Sequence, residues 1–168
     1  ELMELFKAKD CGKPVHPSDT VDAFSLKPSI WSAVYRRDFL NRNAIRFLPT
    51  PGAAFQDASF TFKVLALADT AVYLHDSVLS YRQDNEGSSV NSPNKVHCVN
   101  DEYAEIHRWI VEDYAETHSS LDVAKLLRFA NIIKYDSYMW SYIRLNPKFY
   151  AEFLDRMAQE FRGALEVH

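Results

Sequence analysis

An α+β fold rich in helix is what this sequence predicts, with a few short strands in its first part and a C-terminal helical bundle after them. Three observations lead there. From residue 101 onward, apolar side chains recur at helical spacing through three successive stretches. Runs of β-branched and aromatic residues suited to strands occur only earlier, at 30–35, 45–48, 71–75 and 78–82. Four glycines in 168 residues are too few for an all-β sandwich full of tight turns. At 47% apolar and 14% aromatic, the chain can fill a core, which separates it from disordered sequences. The change of character divides it into 1–95, which holds all the strand-like runs, and 96–168, a helical extension.

Each element has its own signal. Leu2, Leu5 and Phe6 give residues 1–9 the spacing of a short amphipathic helix, and the chain opens inside it, as a piece of a longer protein would. Gly12, Pro14 and Pro17 break 11–18 into a loop. Ser18 or Asp19 is placed to cap a short helix reaching Phe24, and Lys27-Pro28 sets an extended approach. Residues 30–35 then read as a buried strand ended by Arg36 and Arg37. A short helical turn at 38–43 leads to a second extended piece, 45–48, which runs into a Pro-Thr-Pro-Gly turn.

Phe60, Val64, Leu65 and Ala68 share a helical face, which predicts a buried helix over 58–68. Strands at 71–75 and 78–82 are joined by a turn at Asp76-Ser77, and a polar loop fills 86–94. Tyr103, Ile106, Ile110 and Tyr114 mark a helix over 101–117. Ser119-x-x-Asp122 has the form of a capping box, opening a helix that reaches Leu145 with Leu127, Ala130, Ile133, Ser137 and Trp140 near one face. Asn146-Pro147 restarts the last helix as N-cap and first residue, and Tyr150, Phe153, Leu154, Met157, Phe161 and Leu165 make its apolar stripe.

Charge and cysteine usage narrow the functional classes. A net charge of −4 gives no general attraction for nucleic acid, so no nucleic-acid partner is expected. Neither glycine-rich phosphate motif is present. Cys11 and Cys98 lack Cys-x-x-Cys spacing and are expected to be free thiols of a cytoplasmic protein. No apolar run of about 18 residues occurs and no leader is visible, so any membrane contact is expected to be peripheral, at the inner face.

The chemistry gathers around two carboxylates. Asp57 follows a Pro-Gly turn and opens a helix. It either caps that helix by accepting from its first N–H groups, or serves as a general base at the mouth of a cleft. The roles conflict, because capping lowers a carboxyl pKa while a base needs one nearer the working pH. Asp84, after Tyr81-Arg82-Gln83, is either an exposed turn residue or an oxygen ligand for a hard cation beside Arg82; one Asp alone makes no such site. Arg36, Arg37, Arg46 and Arg82 suit phosphate recognition, although two of them fit equally as ordinary surface charges. Trp31 reads as core ahead of a sugar-stacking platform. His75, His97, His107 and His118 have no metal-ligand spacing.

Taken together, PSIWSAVYRRDFL (28–40), IRFLPTPGAAFQD (45–57) and YRQDNEGSSVN (81–91) resemble, in order and spacing, the C-terminal, acceptor-side half of family 2 glycosyltransferases. These are the inverting enzymes of bacterial surface-polysaccharide assembly. The resemblance covers residues 27 to about 103 and implies a partial GT-A α/β half followed by a variable helical tail. In the family a carboxylate after an acidic or amide residue is the base on the acceptor hydroxyl. Gln56-Asp57 holds that place, with Gln where Glu is usual. The later family motif reads Tyr-Arg-x-His followed by a Ser pair; here Asp84 stands where His is common, and Ser88-Ser89 supply the pair.

The resemblance therefore implies Asp57 as catalytic, Gln56, Trp31, Arg82, Ser88 and Ser89 as substrate-binding, and Asp84 as metal-binding. The family's Asp-x-Asp metal motif is absent from this sequence, as are the strands of its nucleotide-binding half. The expectation is a parent enzyme moving a sugar from a nucleotide-sugar donor to a saccharide or lipid-linked acceptor with Mn²⁺ or Mg²⁺. The chain alone is expected to hold no cation tightly and to turn over nothing. A reading of a different class is a non-catalytic helical binding or assembly module in which Asp57 and Asp84 only cap and turn. Under both readings exposed apolar surface favours a homo-oligomer.

Overall fold

The computed structural model describes residues 11–49, 55–77, 79–80 and 95–166, with side chains through residue 163. The order is β1 (Pro14–Val15), a 3₁₀ turn (Pro17–Asp19), α1 (Val21–Ser25), a 3₁₀ turn (Ile30–Ser32), α2 (Arg37–Arg42), α3 (Asp57–Leu67) and β2 (Ala71–Val72). It continues with α4 (Cys98–Glu112), a 3₁₀ turn (Tyr114–Glu116), α5 (Ser120–Tyr142), a 3₁₀ turn (Pro147–Phe149) and α6 (Tyr150–Glu166). This is the helix-rich α+β architecture that the spacing predicts.

The core forms because five helices bring their apolar faces to one place. On α4, Val99, Tyr103, Ile106 and Ile110 recur every three or four residues and all are buried. Leu126, Ala130, Ile133 and Tyr138 of α5 pack into the same cluster, and Phe153 of α6 is fully buried against the Tyr138 and Tyr142 rings. Burying each such side chain is worth about 1.5–3 kcal/mol. Phe24 of α1 bridges α3 and α5, its ring 4.9 Å from Phe62 and 5.4 Å from Phe129. The cluster thus draws on residues from both sides of position 95.

Helix α3 is buried nearly all round. Phe62 and Ala66 enter the main cluster, while Phe60 and Val64 join Ile45 in a second one closed by Tyr35, Phe39 and Leu40. Polar ties fix α3 against α4. The Ser59 N–H donates to Glu102 and Lys63 pairs with Glu105, so both helices run in the same direction. At the far end, Glu160 of α6 receives Lys134 at 2.7 Å, Arg156 at 3.0 Å and the Tyr138 hydroxyl.

Several local expectations give way to tertiary context. Residues 30–35 form no strand: they make an exposed turn, with Trp31 44% exposed and Val34 fully so. Trp31 is therefore not core. A run of β-branched and aromatic residues becomes a strand only where a partner strand reaches it. Residues 45–48 also stay outside any sheet, and only Ile45 is buried. The loop expected at 11–18 contains β1, which pairs antiparallel with β2 in the register Pro14 to Val72 and Val15 to Ala71. Gly12 extends this pairing by donating to the Tyr73 carbonyl (2.8 Å) from φ 76°, a conformation glycine reaches without strain. Residues 71–72 thus pair with the N-terminal segment, and Leu79 and Ser80 lie in no strand.

Helix ends show smaller shifts. Thr20, not Ser18 or Asp19, caps α1, its hydroxyl accepting from the Asp22 N–H (3.2 Å). Helix α5 stops at Tyr142, three residues short of the predicted Leu145, and Leu154 of the α6 stripe is 40% exposed. The predicted helix at 1–9 and loop at 86–94 lie outside the described residues.

Candidate functional site

The N-terminus of α3 brings the first candidate, Asp57, into a crowded and partly buried setting. Gln56 occupies the N-cap position with helical dihedrals (φ −59°, ψ −18°) and makes no side-chain cap bond. Asp57 is the first helical residue. The N–H groups a cap would serve have other partners. Ala58 N–H donates to the Phe55 carbonyl (2.9 Å), and Ser59 N–H donates to Glu102 Oε2 (3.1 Å), which comes from α4. Phe55 delivers its carbonyl from a left-handed backbone, φ 58°, a conformation that costs a non-glycine residue roughly 1–3 kcal/mol and gathers at functional sites. Phe55 and Glu102 thus take the Ala58 and Ser59 N–H groups, and the Asp57 carboxyl accepts from its own N–H.

The electrostatics follow from that arrangement. Burial pushes the Asp57 carboxyl above its ordinary pKa, with hydrogen bonding to its own backbone and the Lys27 charge pulling partly back. The Tyr35 phenol is raised as well, by burial first and by the Asp57 charge second. Glu102, fully buried, is raised by desolvation; hydrogen bonding to Ser59 opposes this, and Asp57 adds to it. Glu102 Oε1 meets no hydrogen-bond partner among the described residues. Asp57, Glu102, Tyr35 and Lys27 therefore share one field, and Tyr103, held by Ser137 (2.7 Å) and the Ile133 carbonyl (3.2 Å), lies at its edge.

The chemistry open to this group is proton transfer. A carboxyl whose pKa is raised by desolvation is a better base than a capping carboxylate. Sequence reasoning found Asp57 and Gln56, but missed Glu102, Tyr35 and Lys27. Glu102 carried one available signal: with Asn100 it falls on the buried side of α4, among the apolar residues Val99, Tyr103 and Ile106.

The other predicted residues divide. Trp31 lies on the exposed turn before α2. Arg82, Asp84, Ser88 and Ser89 lie outside the described residues. Among the described residues no three His, Cys, Asp or Glu side chains are grouped to hold a metal ion. Of the predicted phosphate-binding arginines, Arg46 is spent on its own segment, donating to the Ile45 carbonyl (2.7 Å) and Asn41 Oδ1 (3.1 Å). Arg36 and Arg37 sit where the backbone enters α2.

A groove of about 330 Å³ opens further along α3, between the 43–49 segment and α4. Asp57 does not line it. Its cations are occupied: Lys63 with Glu105, Arg46 as above, and Arg108 with Glu105 (2.8 Å), Glu112 (3.0 Å) and Asp113 (3.0 Å). The Arg108 contact holds the Glu105 carboxyl below its usual range. The groove floor is thus a satisfied ion network that ties α4 to α3.

Among the described residues no helix is long and apolar enough to cross a membrane, and Cys11 and Cys98 are free thiols. No protein-family model, no curated protein and no solved structure matches this chain.

Proposed function

We propose that this chain is the acceptor-side part of an inverting, family 2-type glycosyltransferase and that Asp57 is its general base. The observation that carries this reading is the handing over of the α3 cap to Phe55 and Glu102, with the Asp57 carboxyl left desolvated beside Tyr35. In the reaction, Asp57 accepts the proton of an acceptor hydroxyl as that oxygen attacks the anomeric carbon. The new C–O bond forms on the face opposite the departing nucleoside diphosphate, whose bond to the sugar breaks, and the configuration inverts. The donor sugar is held by residues of the nucleotide-binding half, and no part of the role of Asp57 passes through a metal.

The test is turnover of nucleotide sugars by the full-length protein, wild type against Asp57→Asn. Loss of roughly 10²- to 10⁴-fold in kcat with donor binding retained is the expected result. Unchanged turnover returns Asp57 to a structural role. The acid limb of the kcat profile is expected above the ordinary carboxylate range, because activity falls as pH drops through the raised pKa of Asp57.

One observation favours the assembly reading as a companion. Leu121 and Ile132 of α5 and Ile143 just past its end are exposed on one line, each about three turns from the next, with Tyr135 beside Ile132. This stripe suits a second copy of the chain. Sedimentation of wild type against Ile132→Asp tests it: a self-associating species that dissociates in the variant supports the companion role, and a monomeric wild type removes it.

A further inference from the structure

We infer that Glu102 is a positioning residue for Asp57: by accepting from the Ser59 N–H at the start of α3 from a neighbouring helix, it keeps the Asp57 carboxyl off that group. The catalytic meaning of this rests on the proposed function, whereas the capping itself does not.

The first N–H groups of a helix have no partner within it, and the side-chain oxygen of a capping residue is their usual acceptor. Asp57 sits in the first turn, two residues before Ser59. Glu102 takes the place at 3.1 Å, from a helix separated by 43 positions in the sequence. Burying a carboxyl completely is costly, and a residue needed only for packing at 102 would be apolar. The buried Glu keeps its place because one oxygen carries the cap. Were Asp57 to take the cap instead, the N–H bond would stabilise its ionised form and weaken it as a base.

The charged and titratable groups around the pair come from three elements. Lys27 and Tyr35 face Asp57 from the segments flanking the exposed turn, and Tyr103 faces it from α4. Glu102 faces Asp57 and Lys63 on α3 and Cys98 on its own helix. A change at Glu102 therefore acts on Asp57 in two separable ways, through its charge and through its reach to Ser59.

Two conservative substitutions separate these. Glu102→Gln keeps the reach and an acceptor oxygen but removes the charge. Glu102→Asp keeps the charge but is one methylene short of Ser59 N–H. In each protein the Asp57 carboxyl is titrated by ¹³C NMR, and the exchange of the Ser59 amide is followed in the same samples. The expected result is that Ser59 stays protected in Glu102→Gln and exchanges at least about tenfold faster in Glu102→Asp, where the pKa of Asp57 falls further than in Glu102→Gln. Within the full-length enzyme the Asp variant then loses kcat with KM unchanged, and the acid limb of its pH profile moves down. A Ser59 amide equally protected in both variants overturns the inference, as does an Asp57 pKa that drops only when the charge is removed. If both NMR results hold while Asp57→Asn remains fully active, the cap stands and the glycosyltransferase reading falls.

Discussion

At the scale of single residues, the structure pairs carboxyls whose environments push them in opposite directions. The folded-state pKa of Asp57 is raised by burial, so its contribution to stability is fully present below its unfolded pKa and is lost as pH rises through the folded one. Asp57→Asn is therefore expected to raise the melting temperature at neutral pH, with the difference vanishing in acid below the ordinary Asp pKa of about 3.9; thermal unfolding at both pH values checks this. Glu160 behaves in the opposite sense. Burial pushes its pKa up, but Lys134, Tyr138 and Arg156 outweigh that and hold it low. Its stabilisation is present above the unfolded pKa and lost as pH falls through the folded one. Tyr138→Phe removes one donor to this carboxylate and is expected to cost about 1.5–3 kcal/mol in denaturant unfolding at pH 7, and less once Glu160 is protonated.

Among the elements, the helices of the second half carry their own start signals. Ser119 accepts from the Asp122 N–H (3.2 Å) and donates to its carboxylate (2.7 Å), and Asn146 accepts from the Lys148 N–H (3.2 Å). Ser119→Ala is expected to cost about 1 kcal/mol, and Phe153→Ala, which empties the junction of α6 with α5, roughly 3–5 kcal/mol; urea midpoints at constant slope measure both. These elements were legible because a cap and an apolar stripe lie within a few residues of each other. The α4 face at Tyr103, Ile106 and Ile110 was legible for the same reason. Residues 30–35 were not, since their composition suits a strand and nothing local says that no partner strand arrives. Half of the candidate site was readable in the same way: Gln56-Asp57 stands out beside a turn, whereas Glu102 serves a helix far away in sequence.

For the whole molecule, what matters is that one apolar cluster joins α1 and α3 to α4, α5 and α6. The first-half residue Phe62 packs against Trp109 of α4 with ring centroids 6.5 Å apart. Unfolding followed by Trp fluorescence and by far-ultraviolet circular dichroism is expected to give coincident transitions, and separated midpoints would show that the halves melt independently. The two ties between α3 and α4 add something packing alone does not. Ser59 with Glu102 and Lys63 with Glu105 are two rungs of one ladder, one helical turn apart. Sliding α3 along α4 breaks both rungs together, so they favour a single axial offset of the helices. Other offsets are penalised twice, and Asp57 is held at a fixed height along α4.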